Sequence, residues 1–87
     1  MFVIAIYDVE SKRCGKMLKL FRRYLVWVQN SVFEGELTES QYKDLQKRAL
    51  KLMDTETDSV MFYQLGQQKY IKREALGIEK PEHSRFL

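Results

Sequence analysis

Histidine and cysteine, the side chains that most often hold transition metals or act as nucleophiles, are almost missing: 87 residues contain one of each, His83 and Cys14. A single cysteine forms no intrachain disulfide, and with one histidine it completes no structural zinc site. That usage predicts a reducing, cytoplasmic setting. Proline occurs once and glycine four times, too rarely for a low-complexity or linker-rich chain. No apolar run approaches the roughly 20 residues that cross a bilayer, and the apolar start at Met1–Tyr7 breaks at Asp8 too soon for a secretory signal. Neither a membrane partner nor export is expected.

What is present is the composition of a folded domain, with 45% hydrophobic, 13% aromatic and 31% charged residues. The length predicts one domain over residues 1–87. A chain this short buries only about 60–65% of its unfolded surface, so a self-associating face would supplement its stability. Lys and Arg number 15 against 12 Asp and Glu, a net charge of +3, which favours an anionic partner.

The order of patterns is regular. Phe2–Tyr7 is an unbroken apolar run rich in strand formers, the mark of a central strand. Ser11 reads as a cap for a helix over about 12–24, with Cys14, Met17, Leu18, Phe21 and Leu25 recurring at helical steps on its buried side. Residues 26–37 read as one bent strand or as two strands joined near Asn30-Ser31. Thr38 and Gln41 form a capping box for a second helix over about 39–53. Ser59–Leu65 is a further strand, Tyr70–Leu76 an edge strand, and 77–87 a polar tail with Ile78, Phe86 and Leu87 that needs a partner surface. Strand, helix, strand pair, helix, strand predicts an α+β, ferredoxin-like βαββαβ sheet with both helices on one face and an additional C-terminal edge strand. The other face would be apolar and open, and a second copy is its simplest cover, giving a homodimer.

Two features carry chemistry. Asp8 follows the first strand at the lip of the sheet. It reads either as a turn residue bonding nearby amides or as a metal ligand. One carboxylate holds Mg²⁺ poorly, whereas a two-fold axis through this strand end would pair two copies of Asp8 and let water complete the octahedron. Such a centre suits metal-assisted phosphodiester hydrolysis. On the first helix Lys12, Lys16, Lys19 and Arg23 share a narrow stripe, flanked by Arg13 and Arg22. No acid lies between Ser11 and Val28, so a phosphate backbone would supply the counter-charge. Tyr24, Trp27 and Phe33 read as packing residues more readily than as a base-stacking platform, and the glycine-aromatic signature of that RNA-binding module is missing. Cys14 reads as core, His83 as surface, and Glu34 and Glu36 as strand acids sharing a face.

The strand end Tyr7-Asp8-Val9, the basic first helix, the stretch Val28–Leu37 containing Ser31-Val32-Phe33-Glu34-Gly35, and the late Gly77-Ile78-Glu79-Lys80 together resemble the small CRISPR-associated endonuclease family, the second of the two core proteins of spacer acquisition. The resemblance implies a ferredoxin-like homodimer in which residues 77–87 complete the partner's sheet. It implies a Mg²⁺-dependent endonuclease, with Mn²⁺ as a substitute, acting on RNA or double-stranded DNA, with Asp8 catalytic and metal-holding near the dimer axis. It also implies a bridging role between dimers of the CRISPR integrase, where basic residues, here Lys12, Arg13, Lys16, Lys19, Arg22 and Arg23, grip the incoming spacer duplex and cleavage is not required. Phe33 carries over as a structural marker. Trp27 stands where some relatives have arginine.

Overall fold

The computed structural model describes residues 1–66, 72 and 74–77. The elements run β1 (Phe2–Asp8), α1 (Ser11–Arg22), β2 (Val26–Gln29), β3 (Val32–Glu36), α2 (Glu39–Leu52) and β4 (Ser59–Leu65). The strands form one sheet in the order β2-β3-β1-β4. β1 pairs antiparallel with both β3 and β4, and β2 pairs antiparallel with β3. This is the expected α+β, ferredoxin-like βαββαβ arrangement, with β1 central. The edge strand expected over 70–76 is not formed at Lys72, Glu74, Ala75 or Leu76, the residues described there, and the described sheet has four strands; residues 70, 71 and 73 lie outside the described residues, as does the tail from 78 to 87 with His83.

Alternation along β1 divides the sheet into two faces. Val3, Ala5 and Tyr7 are buried under the helices with Phe33 of β3, Met17, Leu20 and Phe21 of α1, and Tyr42, Leu45 and Ala49 of α2. An aromatic cluster fills the centre. The Phe21 ring meets Tyr7 at 5.3 Å and Phe33 at 5.4 Å edge-on, and stacks on Phe62 at 6.1 Å. On the face turned away from the helices lie Ile4 and Ile6, opposite Tyr63 and Met61 of β4. Met61 and Tyr63 are about half exposed, at 52% and 46%. The apolar second face inferred from the sequence is therefore present.

Residues 26–36 form two strands rather than one bent strand. Gln29 pairs with Val32, leaving Asn30-Ser31 as a two-residue loop, and Asn30 takes the positive φ of 46° that such a tight turn demands and that asparagine tolerates. Between Trp27 and Gln29 the register shifts, placing a bulge at Val28. α2 starts with the expected capping box: the Thr38 hydroxyl accepts from the Gln41 backbone N–H at 3.1 Å, and the Gln41 side chain accepts from the Thr38 N–H at 2.9 Å.

The start of α1 differs from expectation. Ser11 is the first helical residue and not the cap. Glu10 occupies the cap position without a side-chain capping bond. Cys14, expected in the core, is exposed. The buried arc of α1 is centred on Met17, Leu20 and Phe21, so at about 100° per residue Cys14 falls on its rim, in a first turn that projects past the core.

Candidate metal and nucleic-acid site

Asp8 ends β1 opposite Ser59 of β4. Because Tyr7 points into the core, the next side chain points to the face away from the helices, and Asp8 is exposed there. The buried strand beneath it fixes the backbone while leaving the carboxylate free to meet a ligand. Among the described residues no three His, Cys, Asp or Glu side chains gather into a cluster. Glu34 and Glu36 share the Asp8 face, yet they pair with Ile4 and Phe2, four to six residues away along β1. That is about 13–20 Å at strand rise, so neither joins Asp8. Glu36 instead faces the N-terminal ammonium at 3.3 Å. One exposed oxygen donor suits a hard cation that keeps most of its water, such as Mg²⁺ or Mn²⁺, and does not suit zinc or an all-protein calcium cage.

The five basic residues of α1 and Arg23 at its C-cap divide into different environments. Arg13 turns inward to Asp58 of the α2–β4 loop, donating from Nη2 to Oδ1 at 3.0 Å and from Nε to Oδ2. Its side chain is only 15% exposed, so it serves an internal ion pair. The Arg22 guanidinium lies 5.9 Å from the centre of the Trp27 ring, a cation–π placement. Lys12 is exposed at the start of the helix. Lys16, Lys19 and Arg23 line an open groove of about 550 Å³ between the helices, where Arg48 and Lys51 of α2 face them across a floor of Leu20 and Leu52.

Sequence reading missed Arg48 and Lys51. Their spacing was visible, but which side of α2 meets α1 is decided by packing. Within this basic region Asp44 is already engaged: Arg48 Nε donates to it at 3.0 Å and the Tyr24 hydroxyl donates to it as well. The Tyr24 bond foremost, and then Arg48, hold the Asp44 carboxyl below its ordinary range.

The aromatics expected to pack do so. Phe33 is fully buried, Tyr24 and Trp27 are partly buried against the core, and the Trp27 indole donates to the Asn30 carbonyl at 2.8 Å. The Tyr7 phenol has its pKa raised, chiefly by burial.

Asp58 is the one buried charged residue among those described, with a side chain that exposes no surface. The Arg13 hydrogen bond is the main force holding its carboxyl far below the usual range; burial opposes this, and the backbone N–H groups of Asp54 and Glu10 and the Arg13 charge add to it. A depressed carboxylate pKa contributes stability that is complete above the unfolded value of about 3.9 and is lost as pH falls through the folded value. Thermal unfolding of wild type and Asp58→Asn should therefore show a gap in Tm that is constant above about pH 5 and narrows steadily below about pH 4. A gap independent of pH would mean that the carboxylate charge contributes nothing.

A central-strand carboxylate on an uncovered sheet face, backed by a cationic helix layer, defines a small ferredoxin-like class of domain. Residues 1–73 match the family described as CRISPR associated protein Cas2, and the chain belongs to that family. It is 50% identical over 82 residues to the CRISPR-associated endoribonuclease Cas2 of Thermotoga maritima, covering 94% of each chain. A solved structure described as "Crystal structure of cas2" superposes with a TM-score of 0.84 at 38% identity, covering 93% of this chain and 91% of the other. Cas2 of Streptococcus pyogenes at pH 6.5 superposes with a TM-score of 0.78 at 37% identity, covering 88% and 100%. No helix among the described residues is long and apolar enough to cross a membrane.

Proposed function

We propose that this chain is a metal-dependent endoribonuclease of CRISPR systems that acts as a homodimer. The observation that carries the reading is the placement of Asp8: an exposed carboxylate at the end of the central strand, on the face whose apolar residues Ile4, Ile6, Met61 and Tyr63 lie outside the helix layer. A second copy laid on that face would cover apolar surface and bring two Asp8 carboxylates toward one axis. Asp8 from each copy would hold Mg²⁺, or Mn²⁺ in its place. The cation, when bound, supplies charge stabilisation at a phosphodiester oxygen and a more acidic water. The protein contributes the negative charge that retains the ion and the rigid strand that aims it. The names of the relatives support RNA as substrate, and the reading places the chain in the cytoplasm, where that substrate is found.

A test is cleavage of labelled single-stranded RNA and of duplex DNA in Mg²⁺, in Mn²⁺ and in chelator. RNA cutting that chelator abolishes and either metal restores is expected. Cutting that persists in chelator would overturn the metal site.

A second reading is favoured by a separate observation: the cationic groove lies in the helix layer, and Asp8 points to the opposite face. The two surfaces can thus serve different ends. The groove grips a nucleic-acid backbone while the dimer bridges CRISPR integrase dimers around spacer DNA, a role independent of cleavage. Lys16, Lys19 and Arg23, joined by Arg48 and Lys51, hold the phosphates, with Lys12 and Arg22 at the margins. Duplex binding measured by anisotropy against salt should show Lys19→Ala/Lys51→Ala reducing the log–log slope by about 1–2, at about 0.9 for each phosphate no longer neutralised. Lys43→Ala, whose lysine pairs with Glu39 away from the groove, should leave the slope unchanged. Equal slopes for all three proteins would make the groove an ordinary solvated surface.

A further inference from the structure

We propose that Asp58, acting through Glu10 and Arg13, is a positioning residue that fixes the direction of the Asp8 carboxylate. The proposal rests on the reading of Asp8 as a metal-holding residue.

Asp8 sits in a segment pinned at two points by consecutive residues of the facing loop and strand. At one point it is the ladder partner of Ser59. Two residues further on, the Glu10 N–H donates to Asp58 Oδ1 at 3.0 Å, across 48 residues of sequence. Asp58 thus does for α1 what the third-residue side chain of a capping box does elsewhere, accepting from the N–H of the cap residue, here Glu10, which itself offers no side-chain bond. Arg13 ties the first helical turn to the same carboxylate and also lies 3.3 Å from Glu10 Oε1. Strand end, connecting residues and helix start are thereby held against one buried anion.

Asp58 is not itself a second ligand. Its Oδ1 accepts from Glu10 N–H, Arg13 Nη2 and, at 3.3 Å, Thr57 Oγ1, and its Oδ2 accepts from Arg13 Nε and from the Asp54 N–H at 2.9 Å. A carboxylate has about four lone-pair positions, and these donors fill them. Nor does the 54–58 turn need the long-range bonds to close. The Asp54 carbonyl accepts from the N–H groups of Thr57 and Asp58, and Asp54 Oδ1 accepts from the Glu56 N–H. The reach to Glu10 and Arg13 therefore acts on the β1–α1 connection, where Asp8 stands. A ligand that must meet its symmetry mate needs its direction held to within about 0.5 Å.

The experiment compares wild type, Asp58→Asn, Asp8→Ala and Ala49→Gly, the last a buried α2 substitution that lowers stability away from Asp8. Mn²⁺ affinity is read by water-proton relaxation, amide exchange at Val9 and Glu10 by NMR, and cleavage as separate kcat and KM, all well below each Tm. Asp58→Asn should weaken Mn²⁺ binding by about 10-fold, the lower end of what losing a direct hydrogen-bond partner of a ligand costs, because Asp58 acts on Asp8 only through the Glu10 backbone. It should also speed exchange at Val9 and Glu10 and lower kcat with little change in KM, while Ala49→Gly leaves all three near wild type. If Asp58→Asn binds Mn²⁺ as tightly as wild type while Asp8→Ala does not, positioning is refuted and the metal reading stands. If wild type and Asp8→Ala bind Mn²⁺ alike, the metal reading fails and takes the proposal with it.

Discussion

Asp8→Ala should reduce metal-dependent RNA cleavage by about 100-fold or more while leaving the folded domain intact. Losing an outer partner of a metal ligand already costs about 10–100-fold, so loss of the ligand itself sets a larger expectation. The side chain is exposed and accepts no hydrogen bond from the described residues, and surface substitutions of this kind usually change stability by less than about 0.5 kcal/mol. Activity and unfolding should therefore separate cleanly. Denaturant unfolding with an unchanged midpoint, together with lost cleavage and lost Mn²⁺ binding, is the expected pair of results. Cleavage that survives in Asp8→Ala would remove Asp8 from the site. A variant that cuts nothing yet still binds duplex DNA with the wild-type salt slope would show that the basic groove works independently of the carboxylate.

The largest effect on stability is expected at the centre of the aromatic cluster. Phe21 exposes no surface, and its ring touches Tyr7 of β1, Phe33 of β3 and Phe62 of β4. It therefore ties α1 to three strands of the sheet. Truncation of such a ring to alanine costs about 3–5 kcal/mol through reduced burial and the cavity left behind. A domain of this size has a total stability of about 4–13 kcal/mol at 0.05–0.15 kcal/mol per residue. Phe21→Ala should then move the urea midpoint strongly downward or leave the chain unfolded at 37 °C, and Phe21→Leu should recover part of the loss. A midpoint within 1 M urea of wild type for Phe21→Ala, at about 1–3 kcal/mol per molar, would mean that the cluster is looser than its ring distances imply.

Where the sequence pattern was sharp, the structure follows it. The unbroken run Phe2–Tyr7 is the central strand, Thr38 with Gln41 opens α2, and Ser59–Leu65 coincides with β4. Each rests on local rules: capping geometry, strand propensity, or apolar residues too dense for an edge. The start of α1 departs from those rules because its cap is not local. Ser11 has the right chemistry for a cap, but the helix already includes it: Glu10 holds the cap position and its N–H is satisfied by Asp58, 48 residues away, and no short-range pattern announces that. Cys14 lies outside the core for a related reason, since helical spacing shows that a buried arc exists while packing decides where its centre falls.

The candidate site divides along the same line. By itself the sequence determined the order of elements, the strand-end carboxylate, the cationic character of α1 and the family resemblance, because these depend on residue identity and near-neighbour spacing. Tertiary structure alone decided what those charges meet. It took Arg13 from the flank of the stripe by pairing it with Asp58, set Arg22 over Trp27, and brought Arg48 and Lys51 across from Lys16, Lys19 and Arg23. It also turned Asp8 and the basic groove to opposite faces. Electrostatic partners and grooves form between segments distant in the chain, through the crossing of two helices and the register of a sheet, and those geometries are fixed only when the whole core packs.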